Sequence, residues 1–293
     1  MSAAAPTSNW IDRLGEKTTP HFGQLITWLL LATCVLLAGM PLQGHVGPRQ
    51  GPCSLLSWLP EEALGSASLS HFFRAILILG TLGWLAGKWL RISCWLTVIG
   101  FTCLWGLHVE NVWHSSHCFH LANNLLFIQA LWVTLYADEI QSSRATGTYW
   151  TTPLYPRWVS LGGIAFIGLF HSAAGISKIA TSGLGWANGV SLQLWTYMDG
   201  RPWSPSTQFI TSHYEVTLVM QAATLIFETL AIMAIFPRFR TIIGLALSFF
   251  YVGVLVTFDY GFQLNLLFTA LYLLPVEWWL NKRVARRSTI LTA

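Results

Sequence analysis

The stretch Phe22–Leu42 reads FGQLITWLLLATCVLLAGMPL and contains no Asp, Glu, Lys or Arg. A helix of about 20 mostly apolar residues is long enough to cross the hydrocarbon core of a bilayer. The stretch therefore predicts a membrane-spanning helix. It decides the class of fold, because the same pattern recurs along the rest of the chain.

Seven further apolar segments follow the first. They are Phe72–Trp89, Ile92–Val109, Phe119–Ala137, Trp158–Ile179, Tyr214–Phe236, Thr241–Phe258 and Phe262–Leu280, the last interrupted by Pro275 and Glu277. Charged residues make up only 10% of the chain, whereas soluble domains contain about 25%. We therefore predict an all-α, polytopic transmembrane helical bundle of about eight spans, forming a single domain over residues 1–293.

The Lys and Arg residues predict the orientation, because they are enriched in cytoplasmic loops. With a cytoplasmic N-terminus, twelve of the 16 lie on the cytoplasmic side, and Arg49, Arg74, Lys178 and Arg201 lie opposite. We predict a multi-pass protein of the cell membrane, with a cytoplasmic segment 1–21 and a basic cytoplasmic tail 281–293. We expect the protein to be surrounded by membrane lipid. No run of basic residues indicates a nucleic-acid partner.

Eight of the nine histidines fall at or near the predicted outer face, most densely between His108 and Asn124. If a helix begins near Ser116, then His117, His120 and Asn124 share one face. The motif His-x-x-His-x-x-His formed by His114, His117 and His120, with Glu110 nearby, can bind a transition metal. Alternatively, one of them orients a substrate or moves a proton. A neutral imidazole also suits the membrane boundary without any further function.

Two more polar positions interrupt the apolar segments. His171 and Lys178 are seven residues apart and lie near one face of the fifth segment. The Lys178 amine can simply extend to the membrane surface, or it can serve as a base if it is partly desolvated. Glu228 lies inside the sixth segment, where a carboxylate indicates either a functional site or a hydrogen-bonded packing contact.

Cys53 and Cys118 both fall in predicted outward loops. In an oxidising compartment they can form a disulfide that ties the first outer loop to the histidine-rich loop. A nucleophilic Cys118 thiol beside His117 is the alternative.

A distinctive motif surrounds Lys178, namely Ala174-Gly-Ile-Ser-Lys178-Ile followed by Gly183, Trp186 and Gly189. This motif resembles the HTTM family, the membrane domain related to vitamin K-dependent γ-carboxylase. The family has Lys-Lys-Leu where this chain has Ser-Lys178-Ile, and Lys178 matches the second lysine, the family's proposed catalytic base. His117 matches the histidine of a family Asn-Asn-His-Ser-Tyr-Leu motif, although the Asn pair and the Tyr are replaced.

The resemblance implies a membrane enzyme that modifies or matures a peptide at the extracytoplasmic face, with a reduced, vitamin K-like quinone as cofactor. It implies Lys178 as the base and His117 as its partner, with no metal ligand assigned. The pocket would be lined by His114, His120, Asn124, His171 and Glu228.

We expect no counterpart of the large luminal domain of the carboxylase, and the chain is similar in size to the bacterial SdpB-type branch. That branch is tied to maturation or export of an antimicrobial peptide toxin. Two alternatives to the enzyme therefore stand. One is a non-enzymatic, SdpB-type membrane partner of a secreted peptide, and the other is a His-ligated metal oxidoreductase.

Overall fold

A computed structural model describes residues 14–41, 54–111, 119–258 and 261–283 of the chain. Their internal contacts divide the chain into two compact units. Unit 1 comprises Met1–Ser115, Asn123–Gly162 and Leu280–Ala293, and unit 2 comprises Ser116–Ala122 and Gly163–Trp279.

The described part of unit 1 consists of helices, one small sheet and their connections. Strands β1 (Lys17–Thr18) and β2 (Tyr155–Pro156) pair antiparallel, with Lys17 opposite Pro156. The helices are α1 (His21–Gly39), α2 (Glu61–Leu64), α3 (Ala67–Leu85), α4 (Leu90–Asn111), most of α5 (His120–Leu135), α6 (Ala137–Ala145) and the start of α7 (Arg157–Ser182).

Helices α3 and α4 approach each other closely because glycines lie at their contact. A Cβ atom built on Gly80 would lie 2.5 Å from the backbone nitrogen of Thr97, and one built on Gly100 would lie 2.6 Å from that of Leu77. Any larger residue at either position would push the two helices apart. Small residues of this kind are typical of helix contacts in membrane proteins.

Unit 2 contains the remainder of α7 and shorter elements. They are a 3₁₀ turn at Gly183–Ala187, α8 (Val190–Asp199), α9 (Pro205–Ser212), α10 (Tyr214–Thr229), a 3₁₀ turn at Ala231–Ile235, α11 (Pro237–Thr257) and α12 (Gln263–Leu273). Proline occupies the first position of α9 and α11, where the missing N–H breaks no helical hydrogen bond. Helices α11 and α12 pack against each other, and residues 276–283 are again helical.

Every predicted apolar segment contains a helix, so the all-α prediction is confirmed. Five helices in the described part of the chain are long and apolar enough to cross a membrane, namely α1, α3, α4, α7 with the turn that follows it, and α11. Helices α5 and α10 have 16 residues each and α12 has 11. A 16-residue helix rises about 24 Å, less than the roughly 30 Å of a bilayer core.

Interruptions of the helix account for two of the three short helices. The sixth predicted segment changes from α10 to a 3₁₀ turn after Thr229, and the eighth is interrupted at Leu274–Pro275. The number of spans and the location of the termini stay predictions. Most of the 1–21 segment and of the 281–293 tail lies outside the described residues.

Candidate functional site

An ion pair joins two helices inside unit 2. The ammonium of Lys178, near the end of α7, donates to Oε2 of Glu228, near the end of α10. The Glu228 side chain is 5% exposed and that of Lys178 is 27% exposed. A buried carboxylate needs such a partner, because an isolated charge in a low-dielectric interior is strongly unfavourable. Lys178 and Glu228, which the sequence singled out separately, therefore form one ion pair.

The Lys178 amine has an aromatic neighbour as well. Its Nζ lies 4.5 Å from the centroid of the Trp186 ring, within the range of a cation–π interaction. Trp186 belongs to the 3₁₀ turn that follows α7, and this turn begins at Gly183 with a positive φ of 58°. The change of direction after α7 thus brings the indole back over the lysine of the same helix.

Gln221, two turns before Glu228 on α10, binds the chain after this turn. Its Oε1 accepts from the backbone nitrogen of Gly189 at 2.6 Å, and its Nε2 donates to the Ser191 hydroxyl at 2.9 Å. Gln221 is buried. The polar side of α10 therefore binds α7 at one point and the start of α8 at another, which fixes the segment that carries Trp186.

A second polar cluster surrounds His171, which is 2% exposed. Its Nε2 lies 3.1 Å from the Tyr251 hydroxyl of α11, and Nδ2 of Asn265 in α12 donates to the same hydroxyl at 3.4 Å. His171 and Lys178 both lie on α7, two turns apart. The histidine cluster and the ion pair are therefore joined by one helix.

The end of α10 is held against α7 by a serine. The Ser172 hydroxyl donates to the backbone oxygen of Thr229 at 3.0 Å and accepts from the backbone nitrogen of Ile232 at 2.9 Å. Both backbone groups lie where α10 gives way to the 3₁₀ turn. Ser172 satisfies them at the break, which positions Glu228 one residue earlier.

The remaining predicted pocket residues are not described as members of these two polar clusters. His120 is the first residue of α5 and is half-buried within unit 2, whereas Asn124, one turn later, is exposed and belongs to unit 1. His114, His117, Cys53 and Cys118 lie outside the described residues. The proposed contact between Lys178 and His117, and the disulfide between Cys53 and Cys118, stay predictions.

No group of three or more His, Cys, Asp or Glu that could hold a metal occurs among the residues described by the structure. Two of the three histidines in the His-x-x-His-x-x-His motif fall outside those residues. Glu110, the acidic residue near that motif, accepts a hydrogen bond from the backbone nitrogen of Ser54 at 2.6 Å within unit 1. Its described contact is therefore with a loop of unit 1.

Sequence reasoning missed Tyr251, the direct partner of His171. The signal was present, because Tyr251 lies in the middle of an apolar segment, where its hydroxyl must find a partner. Polar groups of this kind mark pairs of helices that contact each other. The sequence does not say which pairs.

Together, the fold and the polar clusters define a helical protein whose five long apolar helices are compatible with membrane insertion. Within the described residues, unit 2 holds an ion pair with a buried carboxylate, and the helix that carries its lysine also carries a buried histidine. Comparisons with models of protein families, with curated protein sequences and with solved structures give no match to this chain.

Proposed function

We propose that the chain is a multi-pass membrane enzyme with HTTM-like chemistry, and that Lys178 and Glu228 form its proton-transfer centre at the extracytoplasmic face. The substrate would be a peptide, and the cofactor would be a reduced, vitamin K-like quinone. The carrying observation is the ion pair itself, which joins a buried carboxylate to a partly accessible amine.

Several features support a membrane location, and within it we propose eight spans with both termini in the cytoplasm. Five helices have the length and composition of spans, and the basic residues are strongly biased to one side of the predicted topology. The segment between α7 and α10 exposes Trp195, Tyr197 and Trp203. Aromatic side chains of this kind favour the membrane–water boundary, which is where the prediction places this segment.

The ion pair supports proton transfer because its two side chains differ in their exposure to solvent. As an ion pair, Lys178 carries a proton and accepts no other. When that proton passes to Glu228, a neutral amine and a neutral carboxylic acid result, with no net change of charge. The neutral amine can then take the proton of a quinol hydroxyl and become an ammonium, while the buried acid keeps its own proton. When the ammonium has released the quinol proton to solvent on its exposed side, the amine recovers the proton held by Glu228 and the ion pair forms again.

A second candidate is the non-enzymatic, SdpB-type partner in maturation or export of a peptide toxin. The favouring observation is that the cluster is already satisfied, since Lys178 binds Glu228, and His171 binds Tyr251. Such contacts are also what a purely structural clamp between helices would show. The metal oxidoreductase is a third hypothesis, and it rests on histidines outside the described residues.

The test uses a substitution that keeps the ion pair but removes the base. An arginine at position 178 retains the positive charge toward Glu228 and cannot be deprotonated. We would reconstitute the full chain in lipid nanodiscs with a reduced naphthoquinone, oxygen, a glutamyl peptide and ¹⁴CO₂. The wild type should incorporate label into the peptide, and folded Lys178→Arg and Lys178→Ala proteins should not.

Arg201→Gln is the matched control, because Arg201 is a basic residue of the same unit that forms a cation–π contact with Trp203. It should leave incorporation unchanged. Full incorporation by Lys178→Arg would remove the base assignment, and absence of incorporation by the folded wild type would overturn carboxylase-like chemistry.

A further inference from the structure

A cavity of about 360 Å³ lies in unit 1. None of its lining residues belongs to the proposed proton-transfer centre of Lys178 and Glu228. Its walls come from the first turns of α1, the last turn of α3, the end of α6 and the connection to β2. The lining residues used below are Gln24, Trp28, Leu85, Arg144, Tyr149 and Trp150. Small-molecule sites occupy about 300–1,000 Å³, so the cavity suits a head group or a small ligand.

Arg144 differs in its partners from three other basic residues of this unit. Lys17, Arg91 and Arg157 each form an ion pair with a carboxylate. Among the described residues, Arg144 meets no carboxylate and instead lies 5.0 Å from the centroid of the Tyr149 ring. Its side chain is exposed. The guanidinium is therefore available to an anion, and its planar shape suits a phosphate or carboxylate.

Two buried polar side chains lie deeper in the cavity wall. The Tyr149 hydroxyl donates to Oε1 of Gln24 at 2.6 Å. Burial raises the pKa of Tyr149, although Arg144 partly opposes this effect, so the hydroxyl keeps the proton that it donates. With Oε1 thus occupied, the Gln24 amide nitrogen remains as a donor, and no hydrogen bond within the described residues uses it.

The rim of the cavity is apolar and exposed. Trp28 is 51% exposed, Leu85 is 50% exposed and Trp150 is 42% exposed, and the Trp28 and Trp150 rings lie 6.1 Å apart. Exposed indole and leucine side chains next to a charged guanidinium match a ligand with an anionic head and an apolar tail.

We propose that this cavity binds the head group of an anionic phospholipid. The phosphate lies against Arg144, the Gln24 amide donates to a head-group oxygen, and the first acyl carbons lie along Trp28 and Leu85. The predicted topology puts this end of unit 1 on the cytoplasmic side. The cytoplasmic leaflet carries anionic lipids, and basic pockets between helices on this side recognise their head groups.

The test is a binding titration of the detergent-solubilised full chain, followed by native mass spectrometry. The probes are dioctanoyl phosphatidylglycerol, dioctanoyl phosphatidylcholine with the same tails, and inorganic phosphate. Phosphatidylglycerol should bind more tightly than either of the others, because it alone combines net negative charge with apolar chains. Equal binding of the two lipids would overturn the proposal. Binding of inorganic phosphate as tight as that of phosphatidylglycerol would replace it with a free-phosphate site.

Variants of Arg144 assign the binding to the cavity. Arg144→Gln should weaken phosphatidylglycerol binding about tenfold to hundredfold, as expected for the loss of one charge-assisted contact. Arg144→Lys should weaken it less, because the charge remains but the two-pronged geometry is lost. Arg91→Gln is the matched control, since it removes a paired arginine of the same unit, and it should not change binding. Wild-type affinity in Arg144→Gln would refute the site.

Discussion

The ion pairs of the two units have the same chemistry but different surroundings. In unit 1, Arg91 pairs with Asp138 at 2.6 Å, with side chains that are 54% and 78% exposed. In unit 2, Lys178 pairs with a Glu228 side chain that is only 5% exposed. Water can replace the partner of an exposed charge but not that of a buried one. Burial therefore decides which pair the fold depends on, and the following substitutions test this difference.

The largest effect is expected from Lys178→Met. It leaves the Glu228 carboxylate buried without its cation, which should lower the free energy of unfolding by about 3 kcal/mol. Unfolding by sodium dodecyl sulfate in mixed micelles, followed by circular dichroism, measures the change. The double variant Lys178→Met/Glu228→Leu should recover most of the loss, because it removes both charges. A loss below about 1 kcal/mol in the single variant would mean that the ion pair does not stabilise the fold.

Next in size is Gly175→Ala, which tests the close contact between α7 and α10. A Cβ atom at Gly175 would lie 2.6 Å from the backbone nitrogen of Thr229, next to the residue that pairs with Lys178. Overpacking should lower the free energy of unfolding by about 2 kcal/mol. Gly253→Ala in α11 is the control, because a Cβ atom there has no neighbour within 4 Å. Equal melting curves for the two variants would contradict the contact.

A smaller loss is expected from Tyr251→Phe, which removes the hydroxyl beside His171 Nε2. The buried imidazole loses a hydrogen bond, at a cost of about 1 kcal/mol. Tyr214→Phe, at an exposed tyrosine of the same unit, should be almost neutral in the same unfolding assay. If both variants melt like the wild type, then the Tyr251 hydroxyl does not stabilise His171.

The smallest effect is expected from Arg91→Gln, at the exposed pair of unit 1. Its free energy of unfolding should fall by about 0.5 kcal/mol or less, and 1 M salt should abolish even this difference. A loss as large as that of Lys178→Met, unchanged by salt, would erase the contrast between the two kinds of pair.

Much of the fold could be predicted from local composition. Apolar runs without charges identify helices wherever they occur, and all eight predicted segments contain one. Helix ends were harder to predict. The break after Thr229 falls within a run that is apolar on both sides, and it is stabilised by the Ser172 hydroxyl from another helix. The residues around Thr229 do not indicate that Ser172 will be their partner.

The site was predictable as a set of residues but not as a set of contacts. His171, Lys178 and Glu228 stood out because polar groups inside apolar segments need partners. Helical periodicity predicted that His171 and Lys178 lie near one face of their helix. It did not give Tyr251, since a tyrosine in an apolar segment is also an ordinary packing residue.

The sequence by itself determined that this chain forms apolar helices and that a few charged or polar side chains must be satisfied among them. Only the tertiary structure decided that Lys178 meets Glu228, 50 residues away, and that His171 meets Tyr251, 80 residues away. The physical reason is that spacing along a helix sets which way a side chain points, whereas the identity of its partner depends on which helix packs opposite.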